Sequence, residues 1–437
     1  MGLLLLLCLC FMTFMAFELS NKDIISPWFI TCLSFFASTF FLILVAPNWG
    51  IKIQSNTVWV ILCAVAFFGV GEVLAQTLWN RGGYKSVRYF GSEKSYIPIG
   101  LIKYGLALAF ETAILLLYIY KSVVLVKSQF VTSGLSEMMT YLRFLLIHTD
   151  ASLGLLGIMC YYLGFSFSLV AAFILINNLL VIRKWEKKDL LLVAMILEGV
   201  VFLFFSASRY VFIIYLVAVA IIYINRLRAT GSTRKIVNSK GMKYAAVLGV
   251  LGLSLFFVLG LFVGKNTSNA FDAVAAYVAS PIAALNEFMK GNVQGSQEWG
   301  GETLLGIRNL LNRFGFDVQT QSRMLDFIEF GNGHTTNVYT SLRRYLNDFG
   351  VVGMCIVQMM FGFVFSLLYM VSFNKKKSVF IILYAYLNYK LVLQFFDEEF
   401  LSTFFSIDEI LSIICLVAVY YAFCYPIVFR RFKQVRQ

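Results

Sequence analysis

Apolar runs long enough to cross a bilayer recur along nearly the whole chain, and this pattern leaves few folds open. A spanning helix needs about 20 predominantly apolar residues. Such runs occupy 3–18, 28–46, 57–76, 98–120, 151–182, 189–205, 209–224, 243–264, 349–373, 378–396 and 403–429. Composition agrees: 60% of residues are hydrophobic and 14% charged, against roughly 45–50% and about 25% in soluble domains. A chain this apolar cannot cover itself with polar surface, so hydrocarbon is its solvent and its backbone polar groups must be satisfied internally. Disorder, collagen-like repeats and a disulfide-stapled secreted domain are excluded. The predicted fold class is an all-α polytopic membrane protein of about 11 transmembrane helices. The first run is expected to be a retained helix, since no basic residue precedes it and no small-residue cleavage site follows. The 151–182 run exceeds one simple span, which predicts tilt or a break near Gly164.

A net charge of +13 would suggest nucleic acid as the partner of a soluble chain. In a membrane protein, basic residues in short loops set orientation instead. Loops must alternate sides, and the set formed by 19–27, 77–97, 183–188, 225–242 with Lys243, 374–377 and 430–437 carries 22 basic residues. The opposite set (47–56, 121–150, 206–208 with Arg209, 265–348 and 397–402) carries 12. The first set is therefore expected to be cytoplasmic, with the C-terminus inside, and no nucleic-acid partner is expected. The 8 cysteines all lie in apolar stretches and the only histidines are His148 and His334, so no zinc-ligand set is predicted.

One connection stands apart from the rest. Residues 265–348 form a long segment between 1–264, which carries eight predicted spans, and 349–437, which carries three and a basic tail. Loops longer than about 12–15 residues in a compact fold are usually functional or disordered. This one has helical periodicity. Ala270 to Lys290 reads as a helix interrupted at Pro281. Glu302 to Phe316 is amphipathic, with Leu304, Ile307, Leu310, Leu311 and Phe314 on one face and Arg308, Asn309, Asn312 and Arg313 opposite. A folded external helical cap is the expectation.

Phosphate-loop, zinc-protease and nucleophile-elbow motifs are absent, and the Gly82-Gly83 pair follows no strand. Glu72, Lys103, Glu111, Glu198, Lys390, Asp408 and Glu409 fall within spans. Such residues are either functional or paired between helices. Asp397, Glu398 and Glu399 are expected at a solvated helix end. Arg209, Arg308, Arg313, Arg323, Arg343 and Arg344 all fall on the predicted external side. Guanidinium groups bind phosphate bidentately and keep their charge, so converging arginines suit a diphosphate without metal. His334 lies in a polar, glycine-rich window (Gly331 to Asn337), where a neutral imidazole near pH 7 suits proton abstraction.

Four ordered windows carry a resemblance. Thr336-Asn337-Val338-Tyr339-Thr340-Ser341-Leu342-Arg343, with Tyr345 and Asp348-Phe349-Gly350-Val351-Val352-Gly353, resembles the N-V-Y-T-x-x-R…Y…D-F-G-x-x-G stretch of the oligosaccharide repeat-unit polymerases, the Wzy-type family. Tyr277 with Ser280-Pro281-Ile282-Ala283-Ala284-Leu285 resembles that family's Y-x-x-[SG]-P-I-x-x-L segment. Ser206-Ala207-Ser208-Arg209 resembles its [TS]-G-S-R turn, and Gly301 to Gly315 its G-x-x-T…R-x-G stretch. Ala207 departs from the usual glycine, and Arg344 from a common proline.

The resemblance implies a polymerase of polyprenyl-diphosphate-linked oligosaccharides on the outer side of a bacterial cytoplasmic membrane, with an architecture similar to O-antigen ligases. It implies undecaprenyl-diphosphate-linked glycans and membrane lipid as partners, alongside a chain-length regulator and a flippase. No cofactor and no metal are expected. Arg209, Arg313, Arg343 and Arg344 are the expected diphosphate ligands, and His334, with Asp348 as the alternative, the expected base. The competing readings are a flippase of the lipid-linked oligosaccharide and a ligase-like glycan transferase.

Overall fold

Hydrocarbon-length helices form where the apolar runs place them. The computed structural model describes residues 1–81, 96–149, 151–229, 270–291, 298–374 and 379–434. The helices are α1 (Gly2–Leu19), α2 (Pro27–Trp49), α3 (Ser55–Arg81), α4 (Leu101–Lys127), α5 (Leu135–His148), α6 (Gly154–Ile182), α7 (Asp189–Phe205) and α8 (Arg209–Ala229). After them come α9 (Ala270–Phe288), α10 (Leu305–Arg313), a two-stranded hairpin of β1 (Ile328–Phe330) and β2 (His334–Thr336), and α11 (Ser341–Asn374). The chain ends with α12 (Val379–Leu387), α13 (Tyr389–Val392), α14 (Leu401–Phe404) and α15 (Ile407–Gln434). Eight helices among the described residues are long and apolar enough to cross a membrane. The protein is an all-α membrane protein.

Several expectations take a different form. The 189–205 run is a helix of 17 residues. The 378–396 run is two pieces, α12 and α13, separated at the buried Asn388. The predicted span at 243–264, with Lys243 at its edge, and the Gly82-Gly83 pair lie outside the described residues. No break occurs near Gly164: α6 runs unbroken, and the missing side chain makes room for the Phe202 ring of α7, which a Cβ would meet at 2.4 Å. The predicted 121–150 loop contains α5, whose Met138, Met139, Leu142 and Leu145 recur at helical spacing and are buried.

The chain divides into two units. The first comprises Met1–Arg88, Thr267–Val371 and Tyr389–Ile410; the second comprises Tyr89–Asn266, Ser372–Asn388 and Leu411–Gln437. In the first, α9 packs along α2 through a run of buried residues from Ala279 to Leu285. Pro281 sits inside α9 without ending it. It lacks the N–H that would bond the carbonyl four residues back, and Ser38 Oγ donates to the adjacent carbonyl of Val278 (2.6 Å). Helices α3 and α11 cross at van der Waals distance because glycine faces backbone on both sides. A Cβ on Gly71 would stand 2.0 Å from the Met359 carbonyl oxygen, and one on Gly362 2.1 Å from that of Phe68. Lipid supplies no hydrophobic drive for helix pairing, so such close approach is a principal source of association.

In the second unit α6 packs against α4, α7 and α8, and α8 against α12. Gly199 of α7 plays the same part there, since a Cβ would collide with Ser168 Oγ at 2.0 Å. Gly71→Ala or Gly362→Ala is expected to destabilise the protein by about 1–3 kcal/mol. Thermal unfolding in detergent checks this, with Gly105→Ala, where a Cβ meets nothing within 4 Å, leaving the midpoint unchanged.

Candidate functional site

The first unit gathers most of the polar side chains that the cap segment supplies. The start of α11 is held by the Ser341 N–H donating to the Gln394 carbonyl (2.9 Å). Nine residues on, Gly350 adopts φ +67° and kinks the helix, a conformation that costs a side-chain-bearing residue about 1–2 kcal/mol. The short piece before the kink carries Arg343, Arg344, Tyr345, Asn347 and Asp348.

Arg343 is largely buried. Its guanidinium pairs with Glu302 and lies over the rings of Phe288 (5.1 Å) and Tyr339 (5.3 Å). Asn347 Nδ2 donates to the other oxygen of Glu302 (3.0 Å). Arg344 is almost fully buried, donates to the Arg323 carbonyl (2.8 Å) and faces Asp397 at 3.6 Å. Arg323 in turn pairs with Glu399 (2.9 Å). Three guanidinium donors, Nε of Arg343 and Nε and Nη1 of Arg344, are buried with no hydrogen-bond partner among the described residues. Unsatisfied buried donors are uncommon in native proteins and call for an explanation.

Glu398 and Glu399 are buried rather than solvated as the sequence led us to expect, while Asp397 stays partly exposed. Glu398 is 1% exposed. It accepts from Tyr345 Oη (2.7 Å) and from the backbone N–H groups of Phe400, Leu401 and Ser402 (2.8, 2.7 and 2.7 Å). One carboxylate thus caps α14 and ties it to α11. Burial pushes the Asp397 carboxyl up to about 6, against the pull of the neighbouring Arg344. Asp348 also acts as a cap: its carboxylate accepts from the N–H groups of Thr303 (2.6 Å) and Glu302 (3.1 Å), at the turn that leads into α10.

Helix α10 is shorter than predicted, and Gly306 lets it press on α14, where a Cβ would stand 2.6 Å from the Ser402 carbonyl oxygen. Its expected apolar face is only partly covered: Leu311 and Phe314 are exposed. Arg313 is exposed at its end, and Arg308 pairs with Glu298. His334 is exposed and opens β2, its ring 5.0 Å from Trp49 and 5.9 Å from Phe330. The hairpin turn is fixed by the Asn332 N–H on the Trp49 carbonyl (2.9 Å). So Arg343, Arg344 and Asp348 share one helical piece, while His334 stands on the hairpin and Arg313 at a helix end. Arg209 belongs to the second unit, where it opens α8 after Ala207, a non-glycine residue at φ +54°.

Most of the ionisable residues within spans are partnered. Glu72 accepts from the Trp28 N–H (2.8 Å) and Ser366 Oγ (3.3 Å). Lys390 donates to Tyr389, the Glu399 carbonyl and Thr403, and pairs with Glu409 at 3.3 Å. Lys103 reaches the Phe423 carbonyl (3.1 Å) in the second unit. Asp408 is exposed at the start of α15. Glu111 and Glu198, also in the second unit, differ and are considered below. Sequence reasoning named Glu302 only as part of a window; the charge spacing along the chain gives no hint that it pairs with a residue 41 positions later.

Comparison with known protein families, curated proteins and solved structures finds no match. Chemically, the arrangement offers fixed guanidinium donors to an anion and an accessible imidazole on a separate element.

Asp348→Ala leaves two backbone N–H groups unpaired and is expected to cost about 2 kcal/mol or more, with Asp348→Asn recovering part of the loss in thermal unfolding. Because folding raises the Asp397 carboxyl, its contribution to stability is complete below about pH 4. That contribution is lost as pH rises through about 6. The unfolding midpoint of Asp397→Asn is therefore expected to gain on the wild type across that interval.

Proposed function

We propose that this protein polymerises polyprenyl-diphosphate-linked oligosaccharides into a surface polysaccharide on the outer side of a bacterial cytoplasmic membrane, as a metal-independent glycosyltransferase of the Wzy type. The observation that carries the reading is the set of buried guanidinium donors on Arg343 and Arg344 that have no hydrogen-bond partner among the described residues. An anion with several oxygens satisfies them, and a diphosphate presents such oxygens in fixed geometry. Glu302, Asp397 and Glu399 hold Arg343, Arg344 and Arg323 in place until the substrate's phosphates take over as counter-ions.

In this reaction a hydroxyl oxygen of the incoming lipid-linked unit attacks the anomeric carbon of the growing chain. The bond from that carbon to the diphosphate oxygen breaks, and the hydroxyl proton passes to a base. The diphosphate is a weak base and leaves without a proton, so the developing charge needs only preorganised donors. Arg343, the less buried of the adjacent pair, is the foremost ligand, with Arg344 and Arg313 as further contributors from the first unit; Arg209, in the second unit, is tested on its own. His334 is the base we favour, because it is accessible whereas Asp348 is occupied by backbone N–H groups. The reading includes the topology of about 11 spans with a cytoplasmic C-terminus and an architecture similar to O-antigen ligases. A ligase-like transferase is the nearest alternative. Flipping of the lipid-linked unit is the other, and the unpaired Glu111 in the second unit is the observation that favours it.

Incubation of the purified protein with lipid-linked repeat units distinguishes these. Longer lipid-linked glycans are expected; transfer to a different acceptor identifies a ligase, and relocation across a vesicle without lengthening a flippase. Arg343→Ala and Arg209→Ala are expected to abolish elongation with unchanged protein in the membrane. Normal ladders from both variants refute the assignment. His334→Ala is expected to lower turnover by about 100-fold or more, the usual contribution of a general base.

A further inference from the structure

The second unit has a polar centre of its own, and it stands apart from the reading above. Glu111 lies ten residues into α4, about 15 Å along the helix. It is fully buried, and neither carboxyl oxygen has a hydrogen-bond partner among the described residues. On α7, Glu198 Oε1 lies 2.6 Å from the hydroxyl of Thr112, the residue after Glu111, while its Oε2 is buried and unpartnered. Beside them, Ser168 of α6 and Tyr215 of α8 share a hydrogen bond of 2.7 Å, and Ser168 lies against Gly199, next to Glu198.

The Thr112 hydroxyl is informative because it has one hydrogen and two acceptors. It is 2.9 Å from the Leu108 carbonyl, the usual bond of a helical threonine, and 2.6 Å from Glu198. One hydrogen serves only one of these contacts, so the other is left without one unless the carboxyl supplies it. Glu111 has no donor at either oxygen, and an unpartnered carboxylate in a helix bundle costs several kcal/mol.

Among the described residues neither carboxyl is in an ion pair. Lys103 and Lys121 on α4 are eight and ten residues from Glu111, about 12 and 15 Å along the axis, and Lys103 is engaged at Phe423. The other titratable groups facing this region among the described residues are Tyr215 from α8, Tyr118 and Tyr161, whose rings meet at 5.9 Å, and the buried Cys160 thiol of α6 near Tyr118. Tyr104, Glu111 and Tyr118 recur every seven residues and so form one stripe along the buried face of α4. Tyr104 is 1% exposed, and its hydroxyl also has no hydrogen-bond partner among the described residues.

We propose that Glu111 and Glu198 form an exchangeable proton-binding site in the second unit. A proton fits the site better than a metal cation, because among the described residues no group of three or more His, Cys, Asp or Glu side chains is placed to hold a metal ion.

The test uses the full-length protein in phosphatidylcholine vesicles, treated with dicyclohexylcarbodiimide and mapped by mass spectrometry. The reagent needs a protonated acid: the carboxyl O–H adds across one C=N bond, and the acylisourea rearranges to a stable acylurea with nothing released. An adduct on Glu111 or Glu198 is expected at about pH 7, where an exposed carboxyl is almost wholly ionised, with labelling falling about tenfold per pH unit above the site's midpoint. The infrared band of a protonated carboxylic acid, reduced in Glu111→Gln, is expected even if the reagent is excluded. Absence of both adduct and band overturns the proposal. So does protection by sodium or potassium at constant pH, which identifies a metal-cation site instead.

Discussion

Glu398 is the interaction on which the first unit depends. Its two oxygens accept three backbone N–H groups at the start of α14 and the Tyr345 hydroxyl of α11. Non-helical backbone buried in a helix bundle survives only where protein satisfies its polar groups, and residues 393–400 are such a stretch. A single carboxylate lets the chain turn there, brings α14 under α10, and fixes the short arginine-bearing piece of α11. Lys390 does the complementary work with carbonyl and hydroxyl acceptors, and Glu409 balances its charge. Replacing either ion by an apolar residue would leave several groups of the other kind unmatched.

Such knots explain which parts of the architecture could be read in the sequence. The long apolar runs are a local property, so α1 to α4, α6 and α8 follow from them directly. The amphipathic α5 is equally legible, because Met138, Met139, Leu142 and Leu145 have helical spacing, although its 14 residues are too short for a hydropathy run that spans a bilayer. The division of 378–396 at Asn388 had a signal too, in the polar residues Asn388, Lys390 and Gln394 within one apolar run.

The roles of the acidic residues were not legible. Asp348 sits in a motif-like window and reads as a base, yet its carboxylate is filled by N–H groups 45 and 46 residues earlier. Asp397 to Glu399 look like a solvated helix end because nothing local says that Tyr345 and an unfolded-looking turn will close over them. Periodicity describes what a helix presents, and tertiary caps depend on chain segments that no window contains. The turn before Arg209 illustrates the opposite case. Ala207 stands where a glycine was expected and takes up a left-handed conformation with φ +54°. The strain of about 1–2 kcal/mol is partly offset by a buried methyl worth about 0.8 kcal/mol.

The discontinuity of the two units has a consequence for synthesis. Unit one draws on Met1–Arg88, Thr267–Val371 and Tyr389–Ile410, so its earliest helices leave the ribosome long before Glu398 exists. Trp49, against which His334 will rest, is made almost three hundred residues before that histidine. The intervening stretch inserts the five helices α4 to α8 of the other unit. Maturation of the arginine cluster is therefore a late event, and a nascent chain arrested anywhere before residue 398 has its membrane anchor but not the carboxylate that closes the turn.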